Sequence, residues 1–220
     1  LTYGSRAIPY RELLDQAVRY AAACPARAGD RVALFAENRP EWVFAFYSAW
    51  SKGAIAVPID GMAPADELAA ILADAAPTTL FTSRDKEPVA REALARTGLP
   101  ARLILFESLP ETPPDPAPAA LPEPDPAAVA AILYTSGTTG SPKGVMLTYA
   151  NLAANVDAVS RGVPIFTPGD RLFAFLPFHH ILPLMGNLVV PLSIGATVAI
   201  ADSLKPDALA ACMQANRVTL

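Results

Sequence analysis

The sequence has 220 residues, of which 52% are hydrophobic and 17% charged, so it has enough apolar surface for a sizeable core and too little charge for a disordered chain. Seventeen Lys and Arg against 21 Asp and Glu leave a net charge of -4, with no basic tail or arginine-rich helix, which argues against nucleic acid as a partner. Cys24 and Cys212 match neither a metal-ligand spacing nor a disulfide framework, and suit a reducing, cytoplasmic setting.

Apolar stretches of β character alternate with amphipathic ones. Tyr10 to Cys24 reads as a helix with Leu13, Leu14, Ala17, Val18 and Ala21 on one stripe, and Gly29-Asp30 turns into a strand over Arg31 to Glu37. Pro40 introduces a helix over Glu41 to Lys52, Gly53 stops it, and Ala54 to Ile59 forms a short strand. Pro64 opens a helix over Ala65 to Ala76, followed by a strand at Thr78 to Thr82, a helix at Pro88 to Arg96 and a strand at Ala101 to Phe106. The near-continuous apolar character of these strands predicts a parallel sheet covered on both faces. Prolines at 110, 113, 114, 116, 118, 122, 124 and 126 then mark a stiff connector over 109–126.

After the connector come a strand at Val129 to Thr135, a Gly/Ser/Thr loop, a strand at Gly144 to Thr148 and a helix from about Ala150 to Arg161. A strand at Arg171 to Leu176, an apolar helix around Leu182 to Leu192, a strand at Ala196 to Ala201 and a helix at Pro206 to Asn216 follow, with Val218 to Leu220 opening one more strand. Phe173 to Ala201 lacks Asp, Glu, Lys and Arg and is long enough to cross a bilayer. Pro177, Pro183, Pro191, Gly186 and Gly195 divide it into strand, turn and buried helix instead. The expected organisation is a first α/β subdomain over 27–169, with 1–26 and 170–220 belonging to a second, incomplete one. Leu1 opens the chain without a signal-peptide pattern, as in a piece of a longer protein.

The segment with chemical content is Tyr134-Thr135-Ser136-Gly137-Thr138-Thr139-Gly140-Ser141-Pro142-Lys143-Gly144. Glycines let backbone N–H groups converge, Ser and Thr add donors and Lys143 adds charge, which together suit a polyphosphate. A Walker A loop is excluded, because Gly144 follows the lysine and a strand, not a helix, comes next.

Thr135 to Val145 resembles the phosphate-loop signature of the adenylate-forming, or AMP-binding, superfamily, which includes acyl-CoA synthetases, peptide-synthetase adenylation domains and luciferases. The resemblance extends through Pro9 to Leu13, Gly29 to Leu34, Glu37-Asn38, Glu41-Trp42, Lys52-Gly53-Ala54, Asn151-Leu152, Leu176 to His180, Gly195-Ala196-Thr197 and Val218-Thr219. The Leu-Pro-Phe-His-His form looks most like long-chain fatty acid–CoA ligases.

The resemblance implies the N-terminal half of such an enzyme's large domain: mainly parallel sheets flanked by helices. It implies ATP with Mg2+, a small-molecule carboxylic acid and CoA as reactants, and peripheral membrane association for a long-chain acid. Nucleotide-phosphate contacts would fall on Thr135, Ser136, Gly137, Thr138, Thr139 and Lys143, and His180 would line the acid pocket, with His179 structural. Tyr149 stands where many relatives have His, and Pro183 where many have Gly. The adenine, ribose and C-terminal lysine motifs of the family are absent from these residues, so no catalytic residue is assigned and the piece is expected to be inactive without the missing C-terminal part. Acyl-AMP ligases, amino- or aryl-acid adenylation domains and a non-catalytic remnant retaining only the fold remain open alternatives.

Overall fold

The computed structural model describes residues 1–109, 123–136, 142–162 and 165–220. They divide into two compact units, one formed by Leu14–Glu37 and Glu41–Tyr149, the other by Leu1–Leu13, Asn38–Pro40 and Ala150–Leu220.

The first unit is built on a six-stranded sheet. We number the strands in chain order: β3 (Arg31–Ala36), β4 (Ile55–Asp60), β5 (Thr79–Thr82), β6 (Arg102–Leu105), β7 (Val129–Ser136) and β8 (Pro142–Thr148). Their spatial order is β6-β5-β3-β4-β7-β8, all parallel except for the last pair. The central strand β3 is buried at every residue after Arg31, as the continuous apolar run requires when helices cover both faces. Helices α2 (Pro40–Ser51), α3 (Ala65–Ala75) and α4 (Glu87–Thr97) alternate with these strands, each within two residues of its expected limits. Gly98 ends α4 in a left-handed conformation, φ 65°, and returns its N–H to Leu94. Leu68, Leu72, Leu80, Phe35, Val57 and Ile59 are at the centre of the core.

Helix α1 (Tyr10–Ala23) differs from its expected stripe. Its most buried member is Tyr20, at 0% exposure, whose ring lies 5.8 Å from those of both Phe44 and Phe81. Leu13, Leu14 and Val18 are only half-buried. The aromatic cluster formed by α2, β5 and the turn after β6 sets which face of the helix goes inward, and a stripe count within the helix cannot register it.

The second unit carries a four-stranded sheet, ordered β2-β1-β10-β9, from β1 (Thr2–Tyr3), β2 (Arg6–Ala7), β9 (Arg171–Ala174) and β10 (Thr197–Ile200). The N-terminal hairpin β1–β2 has two-residue strands, too short to show a period in the sequence. Val218 to Leu220 forms no strand, although Thr219 N–H donates to the Arg171 carbonyl and Phe173 N–H to that of Leu220, both at 2.9 Å. The expected apolar helix is a helical path of α6 (Ile181–Leu184), a π-helical turn (Met185–Val189) and α7 (Val190–Ser193). Pro191 explains the widened turn, because it has no N–H to donate and its ring crowds the carbonyl four residues back. Helices α5 (Tyr149–Asp157), continued by a π-helical turn (Ala158–Gly162), and α8 (Pro206–Ala215) complete the described α-helices. Among the described residues no helix is long and apolar enough to cross a membrane.

Candidate functional site

The phosphate-loop segment is carried by the antiparallel hairpin β7–β8, in register from Leu133↔Val145 through Tyr134↔Gly144 and Thr135↔Lys143 to Ser136↔Pro142. Directly opposed residues in an antiparallel pair project from the same face, so the side chains of Thr135 and Lys143, both exposed residues, leave the same face near the hairpin's end. Gly137, Thr138 and Thr139 lie outside the described residues, and for Ser136 only the backbone is described.

One residue back, the Tyr134 ring covers Gly144. A Cβ at Gly144 would come within 2.8 Å of Ile132 Cγ2 and 3.2 Å of Tyr134 Cζ, so glycine is the residue that admits the ring here. The Tyr134 hydroxyl donates to the carboxylate of Asp74 on α3. Burial first, then the hydrogen bond to Asp74 and its negative charge, raise the Tyr134 pKa and keep the phenol a neutral donor. Asp74 was not a sequence candidate, since one acid on a helix of the pattern ADELAAILADA carries no signal of its own.

Tyr149 follows β8 directly and its N–H donates to the Ala128 carbonyl at 3.1 Å. Its ring meets Trp50 edge to face at 5.6 Å, while Trp50 Nε1 donates to the Ala130 carbonyl at 2.9 Å. Burial pushes the Tyr149 phenol up to about 12, and its buried hydroxyl has no hydrogen-bond partner among the described residues.

In the other unit, His180 precedes α6 and is exposed, unlike a hydrogen-bonded core histidine, with its ring 4.0 Å from that of the half-buried His179. The stretch before it is held by Asn38, whose side-chain amide bonds the backbone of Leu176 and Phe178.

The donors present at the hairpin, a hydroxyl and an ammonium on one face, fit the oxygens of a phosphate chain. Among the described residues no group of three or more His, Cys, Asp or Glu is placed to hold a metal ion. Hydroxyl oxygen is nevertheless a suitable ligand type for magnesium, and Thr135 is a described residue of the hairpin that carries one.

The chain belongs to the AMP-binding enzyme family, whose profile matches residues 1–220. It is 36% identical over 182 residues to the sulfoacetate–CoA ligase of Cupriavidus necator, covering 80% of this chain and 36% of that protein. A long-chain-fatty-acid–CoA ligase of Mycobacterium bovis is 35% identical over 175 residues, covering 71% of this chain and 28% of that protein. Malonate–CoA ligase and feruloyl-CoA synthase match at 30% and 32% identity. Among solved structures, the o-succinylbenzoate coenzyme A synthetase of Bacillus subtilis in complex with AMP superposes with a TM-score of 0.83 at 26% identity, covering 99% of this chain and 55% of that one. The α/β architecture is thus that of the N-terminal domain of adenylate-forming enzymes. The relatives named above are CoA ligases of varied acids and not specifically of long-chain fatty acids, and an L-proline–[L-prolyl-carrier protein] ligase of Streptomyces coelicolor matches at 32% identity as well. The chain spans well under two thirds of their length.

Proposed function

We propose that these residues belong to an enzyme that uses ATP to convert a carboxylic acid into an acyl-adenylate and then into its CoA thioester. The observation that carries this reading is the register of the β7–β8 hairpin, which sets Thr135 opposite Lys143 within the Gly/Ser/Thr-rich segment. In such a reaction the acid's carboxylate attacks the α-phosphate and pyrophosphate leaves, so negative charge on the departing oxygens must be met by fixed donors. Hydroxyls, backbone N–H groups and an ammonium anchored to a sheet edge do this with little reorganisation. We assign that task to Thr135, Ser136, Gly137, Thr138, Thr139 and Lys143, with Mg2+ accompanying the nucleotide, and place His180 against the acid.

For the acid, we favour a long-chain fatty acid on the Leu176-Pro177-Phe178-His179-His180 form. Acid-dependent ATP–pyrophosphate exchange in the full-length parent, run with palmitate, malonate, sulfoacetate and ferulate, tests both levels. Exchange with palmitate above the rest supports adenylation of a long-chain acid, with CoA-dependent AMP release then supporting the thioester step. Exchange with another acid keeps the enzyme class and rejects the chain, and no exchange with any acid rejects the enzyme. The isolated 220 residues are expected to show none, because groups that stabilise a transition state act as a unit.

A further inference from the structure

Asn38 lies two residues beyond the end of β3, and its side chain acts on backbone 138 to 140 positions further along the chain. Nδ2 donates to the Leu176 carbonyl at 2.8 Å, and the Phe178 N–H donates to Oδ1 at 3.0 Å. A carboxamide offers one donor and one acceptor side by side, so it can engage a carbonyl and an N–H two residues apart as a neighbouring strand would. The stretch needs such a substitute, since β9 ends at Ala174 and Pro177 brings no N–H of its own.

The clamp lies immediately before the turn that carries the histidines. Phe178 is buried at 1% exposure while Leu176 is 41% exposed, so the bound backbone passes from surface to core within three residues. His180 N–H then donates back to the Pro177 carbonyl at 3.3 Å, and the His180 carbonyl accepts from Leu184 at 3.0 Å to start α6. The placement of the exposed His180 ring therefore depends on where the 176–178 backbone is held.

We infer that Asn38 is a positioning residue for acid recognition, acting through the Leu176–Phe178 backbone on His180. The inference rests on the reading of His180 as a residue that meets the acid.

The test uses the full-length parent with Asn38→Ala, His180→Ala, the double variant and Asn38→Asp, which keeps the Oδ1 acceptor and loses the donor. Asn38→Ala is expected to raise the KM for the acid roughly tenfold while the KM for ATP moves less than about twofold, as loss of two hydrogen bonds to the backbone that sets His180 would. Asn38→Asp should raise the acid KM at least as much as Asn38→Ala, because its second carboxylate oxygen would face the Leu176 carbonyl with no hydrogen to share, with melting temperatures recorded for each. If Asn38 acts through His180, adding Asn38→Ala to His180→Ala changes the acid KM by less than about twofold, and fully additive effects overturn the inference. An equal rise in both KM values also overturns it. A wild type without acid-dependent exchange would sink the enzyme reading alone, because positioning is read independently in the His180 imidazole NMR resonances. Asn38→Ala should shift them, and unshifted resonances refute the inference whatever the activity.

Discussion

The hairpin β7–β8 and the turn from Phe175 to His180 are held in place by different means. In the hairpin, neighbours in sequence are neighbours in space: Thr135, Tyr134 and Ile132 meet Lys143, Gly144 and Met146 through a backbone ladder between strands close in sequence. In the turn, the backbone that sets His180 is gripped by a side chain from far upstream, Asn38. A ladder distributes its constraint over many bonds, whereas a clamp concentrates it in two. Single substitutions should therefore affect chemistry at the hairpin and acid selection at the turn.

Lys143→Ala in the full-length parent sharpens that contrast most. It should raise the adenylation barrier by about 2–4 kcal/mol, roughly a hundredfold in rate, while thiolysis of a supplied acyl-adenylate is spared, since that step has no pyrophosphate to stabilise. His180→Ala should instead change the relative KM values for the acids and leave that for ATP nearly unchanged. Equal loss in both half-reactions by Lys143→Ala, at an unchanged melting temperature, would break the comparison.

Gly144→Ala probes the ladder itself. The new methyl would lie 2.8 Å from Ile132 Cγ2, a branch stiff at χ1, so Ile132 and the Tyr134 ring must both give way. We expect a loss of about 1–3 kcal/mol in unfolding free energy, read by denaturant titration, as for overpacking elsewhere. Tyr134→Phe removes only the bond to Asp74 and should cost about 1 kcal/mol. Asp74→Ala should cost a similar amount, and the double variant no more than the larger single loss. Additive losses would mean the two side chains act separately.

Tyr149→Phe should have the smallest effect at neutral pH. Its buried hydroxyl lacks a partner among the described residues, so removal is expected to be neutral or to stabilise by up to about 1 kcal/mol. Its signature is alkaline. Tyr149 titrates near its ordinary value of 10 when unfolded and at about 12 when folded, so the unfolded chain loses this proton first. The contribution is fully present below pH 10 and is lost as pH rises through 12, and Tyr149→Phe should flatten that part of the stability profile. An unchanged alkaline slope would show that Tyr149 is not its source.

The order of strands β3 to β6 and helices α2 to α4 was legible in the amino-acid sequence because these strands are short apolar runs and these helices carry local punctuation, Pro40 and Pro64 at starts and Gly53 and Gly98 at ends, whereas the two-residue strands β1 and β2 were not. The segment proposed to meet the phosphates is likewise contiguous, eleven adjacent residues from Tyr134 to Gly144. Tertiary structure alone decided which residues serve as partners. Tyr20 is central because Phe44 and Phe81 converge on it, Asp74 reaches Tyr134 across 60 positions, and Asn38 grips a turn from 138 to 140 positions upstream. Periodicity, caps and turns are properties of contiguous chain, set by local backbone sterics and hydrogen bonding. A contact between remote positions exists only once the sheet has brought them together, and no local pattern in either segment records it.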